Sequence, residues 1–423
     1  MKEEFLWYLW SKKLINQPIK TTEGEPLQII ESGKLNTDAG PDFFNAKIKI
    51  GSTIWVGNVE IHVKASDWHK HGHHYDRKYN NIILHLVYEN DSHITNSNGK
   101  LIPTVEVRNQ FDNNIYLRYS DFSKSQWWIP CANLIGQIEK SVQTSWLNEI
   151  IVHKIRYKAD KIRKTLVLNN YDWNQTLYTI LAIGFGFHVN ATGFESLAKS
   201  LPYNTIMENR NDLVKLEALL FGQAGLLNGV RDDYPVMLLS KYQKMKKEYL
   251  LECIDSKLWN FLRLRPPNFP TIRIAQFAAL LHQERDLHTR LVRIKEKKEI
   301  FDFFNLHCSD YWKSHYLFDK ESKKRSIKLG KEAVISLAIN IIVPLKYLHG
   351  RLHSQDDCMA DPIGILKSLP PEKNKIVRKY QELGLEPTNA MESQALLFLK
   401  NNFCDHKKCL ECKIGQYLIN TTT

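Results

Sequence analysis

Hydrophobic and polar residues alternate between residues 27 and 107 in short segments that are typical of β-strands. Residues 43–50 alternate apolar with polar or basic side chains, and Gly51-Ser52 predicts a tight turn before a second strand at 54–63. Further strands are predicted at 27–31, 82–88 and 101–107. An aromatic-rich helix is predicted at 3–15, and a short helix or ordered loop at 69–79.

From about residue 126 the apolar residues recur at helical spacing instead. This pattern predicts helices at 142–168, 174–186, 210–224, 235–253, 272–284, 287–305, 330–347 and 390–401. The fold class is therefore predicted to be α+β. Residues 1–125 form the α/β domain, and residues 126–423 form a mostly α-helical domain that carries a cysteine cluster near its end.

The charge of the chain narrows the choice of partner. A net charge of +12 over 423 residues favours an anionic partner, and nucleic acid is the first candidate. No apolar run reaches the roughly 18 residues that a membrane span requires. The N-terminal segment has no signal-peptide pattern, so we expect a cytoplasmic location without membrane contact. The sequence identifies no protein partner.

The predicted hairpin carries the strongest candidate chemistry. Alternate residues of a strand share one face, so Glu60, His62 and Lys64 form one row on the second strand. A turn at residues 51–52 puts Asp42 across from this row. Two neighbouring carboxylates bind a hard cation such as Mg²⁺ or Mn²⁺, which activates water at a phosphodiester while Lys64 orients that water and His62 assists. The row therefore predicts a metal site.

With this element order and these residues, the first 110 or so residues resemble the PD-(D/E)XK nuclease superfamily, which has the restriction-endonuclease-like fold. The resemblance implies that Asp42 holds the metal and Lys64 serves the attacking water. The acidic residue of that motif lies two positions before the lysine, about 6.6 Å along a strand, whereas Glu60 lies four before Lys64, about 13 Å.

This departure from the motif leaves three interpretations open. His62 replaces the acidic ligand, or a bulge brings Glu60 closer, or Glu60 binds the metal and another residue serves the water. Some members of the superfamily use histidines in place of the lysine, which makes candidates of His69, His71, His73 and His74.

The sequence as a whole predicts a metal-dependent nuclease. Two alternatives remain. One is a non-catalytic nucleic-acid-binding protein that retains a degenerate nuclease fold. The other is a zinc-dependent hydrolase, because the histidine cluster between His69 and His74 resembles the metal motif of metallo-β-lactamase-like enzymes. The whole chain also resembles an uncharacterised bacterial family of unknown function.

Three of the seven cysteines lie close together near the C-terminus. Cys404, Cys409 and Cys412, with His406 between them, include the Cys-x₂-Cys half-site that is common in zinc sites. Zinc is favoured over an iron–sulfur cluster at these residues. The fourth ligand remains open among His406, Cys358 and Cys131.

Overall fold

A computed structural model describes residues 1–421. The fold is α+β, with about 52% helix and one mixed sheet. The described chain forms two compact units. Unit 1 comprises Met1–Trp146 and the segment that begins at Lys400, and unit 2 comprises Leu147–Leu399. The cysteine-rich segment thus lies in the same unit as the sheet, whereas the predicted division at residue 125 assigned it to the helical domain.

The sheet of unit 1 has seven strands and mixed pairing. The strands are β1 Ile19–Lys20, β2 Pro26–Glu31, β3 Lys34–Leu35, β4 Phe43–Ile50, β5 Thr53–Lys64, β6 Ile82–Glu89 and β7 Thr104–Glu106. The strand order is β1-β2-β4-β5-β6-β7, and the short strand β3 also pairs with β4. All pairs from β1 to β5 are antiparallel, whereas β5, β6 and β7 run parallel to one another.

Helices account for most of the rest of the described chain. Short π-helical turns follow two of them, at Ala338–Ile342 and Lys400–Cys404. The helices are α1 Glu3–Ser11, α2 Asp67–Lys70, α3 Asn113–Lys124, α4 Lys140–Leu168, α5 Trp173–Gly186, α6 Ala191–Ser200, α7 Tyr203–Asn209, α8 Leu213–Gln223, α9 Asp233–Glu248, α10 Pro270–Gln283, α11 Leu287–Arg293, α12 Lys297–Phe303, α13 Lys331–Leu337, α14 Val343–Leu352, α15 Ala360–Ser368, α16 Lys375–Glu382, α17 Ala390–Leu399 and α18 Lys413–Asn420.

Strands β4 and β5 form the predicted hairpin. Gly51 occupies the turn with φ of 58°, a conformation that glycine adopts without strain. Both faces of β5 are covered near its centre, because Val59 is 0% exposed on one face and Glu60 only 4% on the other. Glu60 and His62 of the polar row are therefore inside the protein, whereas Lys64 at the end of the strand is exposed.

Unit 2 is organised around α10, most of which is buried. The ring of Phe277 in this helix lies 5.7 Å from Tyr178 and 5.3 Å from Phe185, both in α5. A two-stranded hairpin, β8 His315–Leu317 and β9 Lys320–Glu321, also belongs to unit 2.

The prediction of a single helix at 287–305 is wrong, because the structure has two helices there, α11 and α12. Glu296 and Glu299 form a capping box that starts α12 as a separate helix.

One helical stretch, Lys331–Leu352, is long and apolar enough to cross a membrane by length and composition alone. In the protein, 78% of its most apolar window is buried. Burial of this extent is typical of the core helix of a globular unit.

Candidate metal centre

A buried pair of carboxyl groups joins the start of β4 to the middle of β5. The pairing of Phe43 with Val59 puts Asp42, the residue before β4, opposite Glu60. The backbone N–H of Asp42 donates a hydrogen bond to Oε2 of Glu60 at 3.0 Å. The backbone N–H of Ile61 donates another to Oδ2 of Asp42, also at 3.0 Å. Each carboxyl group is therefore held by the backbone of the other strand.

The surroundings of this pair raise the pKa of both carboxyl groups to about 8. For Asp42 the largest cause is burial and the next is the charge of Glu60, while the hydrogen bond from Ile61 acts in the opposite direction. For Glu60 burial is again the largest cause. Because the charged forms are disfavoured, the pair retains a proton near neutral pH that a bound cation would displace.

Two imidazole rings lie beside Glu60, and a third lies next to them. Its Oε1 atom is 3.5 Å from Nε2 of His62 and 3.2 Å from Nε2 of His73. Nδ1 of His71 is 3.2 Å from Nε2 of His62. A ligand nitrogen from each of these three histidines lies within 4.8 Å of the other two. This spacing is close enough for a single metal ion to contact all three rings.

His85 lies next to His62 on the neighbouring parallel strand. The register of β5 and β6 pairs His85 with Glu60, and Nε2 of His85 is 2.8 Å from Nδ1 of His62. A metal ligand needs a free lone pair on Nε2 of His62, so the ring proton would reside on Nδ1 and be donated to His85. Such an outer partner fixes the orientation of a ligating ring.

Burial favours the neutral form of His62, His73 and His85. It lowers the pKa of His62 to about 3, and the charges of His73 and His71 act in the same direction. Burial also lowers the pKa of His73, and it lowers the pKa of His85 well below the ordinary range. Neutral imidazole is the form that binds metal ions.

A small apolar cluster holds the histidine loop against the sheet. The ring of His73 stacks on Tyr79 with centroids 3.9 Å apart and meets Trp68 edge-on at 5.3 Å. The indole N–H of Trp68 donates to the carbonyl oxygen of Thr95 at 3.1 Å. The cluster comprises Trp68, Tyr79, Ile82, Ile94 and Ile102. This wall keeps water from one side of the histidines and strengthens electrostatic interactions there.

Helix α1 brings a third carboxyl group near the site, which the sequence interpretation missed. Burial raises the pKa of Glu3, while the charge of His71 and a hydrogen bond from the Val63 backbone lower it. The charge of Glu3 in turn raises the pKa of both Asp42 and Glu60. No local motif marks Glu3, because only the packing of α1 on β5 brings it to these strands.

The other residues predicted to be catalytic lie at different places. Lys64 is at the end of β5, where its Nζ atom is 3.6 Å from Oε2 of Glu89 and its side chain is 47% exposed. His69 and His74 contact each other, with ring centroids 4.7 Å apart, and His74 also lies against Tyr75. The imidazoles that the structure brings to Glu60 are instead those of His62 and His73.

Substitution of Lys64 with alanine is expected to leave Mn²⁺ affinity and any cleavage rate within about threefold of wild type. An exposed ion pair such as Lys64–Glu89 contributes at most about 1 kcal/mol. Isothermal titration with Mn²⁺ and a cleavage assay on the same preparation measure the two quantities. A loss of a hundredfold or more in cleavage would show that Lys64 serves the reaction after all.

The predicted cysteine cluster lies in unit 1. Cys409 and Cys412 are each 8% exposed, Cys404 is partly buried, and His406 is exposed. Cys358, one of the candidates for a fourth ligand, belongs to unit 2. All seven cysteines are free thiols.

Comparison with known proteins places the chain in a family. The family model described as "Protein of unknown function (DUF2851)" matches residues 3–375. The chain belongs to this family. The match to DUF2851 includes the carboxyl pair and the histidine loop, and it ends before the cysteines at 404–412. No curated protein and no solved structure shows a significant match to the chain.

Proposed function

We propose that this DUF2851 protein is a metal-dependent nuclease whose metal is held by Asp42, Glu60 and His73. The observation that carries the proposal is the buried carboxyl pair with an imidazole nitrogen 3.2 Å from Oε1 of Glu60. Two acidic groups in a buried site are costly unless they are protonated or paired with a cation. A divalent cation would satisfy both.

The donor atoms present fit a divalent metal ion. Nε2 of His73 is buried and has no hydrogen-bond partner among residues 1–421, although a carboxylate oxygen lies close to it. A nitrogen in that position is suited to share a cation with the carboxylate. Carboxylate oxygens suit Mg²⁺ and Mn²⁺, whereas imidazole suits later transition ions. The mixed set therefore favours Mn²⁺ over Mg²⁺.

A bound divalent cation supplies an activated water and polarises the phosphodiester. The remaining work belongs to the side chains. Asp42 and Glu60 bind in the ionised state, and the backbone hydrogen bonds fix their oxygens. His71 is the exposed member of the histidine group and lies against His62, so it can accept a proton and pass it to solvent. In this proposal it takes the role that the sequence interpretation gave to Lys64.

The restriction-endonuclease-like fold remains part of this proposal. The element order on which the resemblance rests is α1, the antiparallel strands β2, β4 and β5, helix α2, and then β6 parallel to β5. Asp42 precedes β4, and Glu60 lies within β5. The net charge of +12 supports a polyanionic substrate.

A zinc-dependent hydrolase is the second candidate function. It is favoured by the group of His62, His71 and His73, since three imidazoles with an open fourth position form a common catalytic zinc site. The two candidates differ in which residues are indispensable. A zinc hydrolase of this kind depends on His62 as a ligand and not on Asp42, whereas the nuclease depends on the carboxyl pair.

The test is cleavage of single-stranded DNA, duplex DNA and RNA with Mn²⁺, Mg²⁺ or Zn²⁺, or with a chelator. The nuclease proposal expects cutting with Mn²⁺ that the chelator abolishes. Asp42→Asn, prepared in parallel, serves as the control for contaminating nucleases and is expected to be inactive. Salt-dependent binding without cutting would favour the non-catalytic alternative, and equal cutting by Asp42→Asn would contradict the proposal.

A further inference from the structure

Two regions of unit 1 that are far apart along the chain carry four cysteines. Cys404 ends the π-helical turn after α17, Cys412 is the N-cap of α18, and Cys409 lies between them. Cys131 lies in the turn before α4, far away along the chain. The two regions are in contact, because Nζ of Lys400 is 5.1 Å from the ring centre of Trp128.

Two further contacts join the C-terminal segment to the region around Cys131. The ring of Phe403, next to Cys404, is 5.5 Å from the ring of Trp146. Lys407 also donates a hydrogen bond from Nζ to the carbonyl oxygen of Ser123 at 2.9 Å. The C-terminal segment is therefore packed against the end of α3 and the start of α4.

Three of the four thiols are buried, and that of Cys404 is partly buried. Cys131 is 7% exposed, and Cys409 and Cys412 are 8% each. Burial raises the pKa of Cys131, and the neighbouring thiols of Cys404, Cys412 and Cys409 raise it further. All three cysteines of the C-terminal segment thus lie within electrostatic reach of Cys131.

Backbone N–H groups at the start of α18 partly offset the effect of burial on Cys412. Burial raises the pKa of Cys412, but the backbone N–H groups of Gly415 and Ile414 at the start of α18 counteract this effect. The indole N–H of Trp146 also acts on this sulfur, and it has no partner in good hydrogen-bond geometry among the described residues. N–H groups close to a cysteine sulfur are common at metal centres.

Close packing holds the cysteine turn against α18. A Cβ atom at Gly415 would lie 2.2 Å from the carbonyl oxygen of Cys409, so no other residue fits there without movement of the backbone. Helix α18 in turn contacts α3, and Asn420 donates to the hydroxyl oxygen of Tyr8 in α1 at 2.6 Å. The position of the cysteines is therefore fixed relative to the helix that carries Glu3.

We propose that Cys131, Cys404, Cys409 and Cys412 together form a four-thiolate metal centre that fastens the C-terminal segment to unit 1. This assigns Cys131 as the fourth ligand, in preference to the exposed His406 and to Cys358 of unit 2. Four thiolates hold either Zn²⁺ or an iron–sulfur cluster. The proposal does not depend on the nuclease function.

The experiment measures metal and colour on the full chain in the Asp42→Asn background, which removes the carboxyl site from the count. The protein is purified without air, dialysed against a weak chelator, and analysed for zinc, iron and acid-labile sulfide. One zinc per chain without visible absorption, lost in Cys131→Ser, indicates a zinc centre at the cysteines. Iron and sulfide with visible absorption indicate a cluster. No retained metal would overturn the proposal.

Cys131→Ser is the decisive variant, and Cys358→Ser is its matched control. We expect the metal content of Cys131→Ser to be at least about tenfold lower than that of wild type, while Cys358→Ser and His406→Ala keep the full metal content. Equal metal content in Cys131→Ser and Cys358→Ser would overturn the assignment.

A second measurement does not depend on the folding of the variant. The full chain is refolded with Co²⁺, and the thiolate-to-cobalt charge-transfer absorption reports how many thiolates bind. Absorption typical of four thiolates supports the proposal. A spectrum with two or three thiolates overturns the assignment of Cys131.

Discussion

Substitution of Glu60 with glutamine is expected to lower Mn²⁺-dependent cleavage at least about a hundredfold. Loss of one anionic metal ligand removes several kcal/mol of transition-state stabilisation, and each 1.4 kcal/mol corresponds to about a tenfold change in rate. The amide has the shape of the protonated carboxyl group, so its oxygen can still accept the hydrogen bond from the Asp42 backbone. The variant is therefore expected to fold normally.

The control for this substitution is Glu89→Gln. Glu89 lies on β6, its side chain is 38% exposed, and its ion-pair partner is Lys64. The same chemical change there removes a charge from the same sheet without touching the carboxyl pair. Thermal unfolding of both metal-free variants should match wild type within about 1 kcal/mol. Retained cleavage in Glu60→Gln, or equal losses in the two variants, would sink the assignment of Glu60.

The strands around the site were predictable because their pattern is local. Apolar alternation gives β4 its observed bounds of Phe43–Ile50, and the turn at Gly51 fixes the register from Ile50 to Ala46. A bulge between Phe43 and Ala46 then shifts the register by one residue and puts Asp42 opposite Glu60. One face of β5 is apolar, and slippage by one residue would turn its apolar side chains to the opposite face. The local pattern therefore predicts the two strands and their turn, whereas the bulge decides that Glu60 is the residue opposite Asp42.

The roles of the neighbouring side chains were harder to predict. Lys64 lies on the same face of β5 as Glu60 but four residues further along the strand. There its ion-pair partner is Glu89 of the parallel strand β6. The parallel pairing of β5 with β6 also places His85 next to His62. A parallel strand is connected through a long crossover, so no tight turn fixes its register.

The sequence pattern did not predict contacts between segments that are far apart along the chain. Glu3 reaches the site through the packing of a helix, and its own segment shows only an aromatic-rich helix. Cys131 was one of three candidates for the fourth ligand, and spacing alone did not separate it from Cys358. In both cases the folded chain supplies the proximity, because loop closure over long separations leaves no local signature.

The affinity for Mn²⁺ is expected to rise steeply from pH 6 to about pH 8. The folded, metal-free protein holds protons on Asp42 and Glu60 up to about pH 8, because burial raises the pKa of both groups. Mn²⁺ must displace these protons, so its apparent association constant increases up to about tenfold per pH unit for each proton released. Titration calorimetry in two buffers of different ionisation enthalpy counts the protons.

The same pKa shifts predict the stability of the metal-free protein. Unfolded carboxyl groups lose their protons near pH 4, so between about pH 4 and pH 8 the folded state binds more protons than the unfolded state. Its stability from this source therefore falls as the pH rises. His62 acts in the opposite direction at acid pH, because its pKa is about 3 in the folded protein and about 6.5 in the unfolded chain.

Bound Mn²⁺ should reverse the loss at alkaline pH. At a free concentration of 100 times Kd it adds about 2.7 kcal/mol to the stability of the folded state, and more Mn²⁺ is needed to reach that ratio at pH 6 than at pH 8. Glu60→Gln lacks one of the displaced protons, so its Mn²⁺ binding should be both weaker and less dependent on pH. A wild-type affinity that is constant between pH 6 and pH 8 would mean that the cation does not bind at the carboxyl pair.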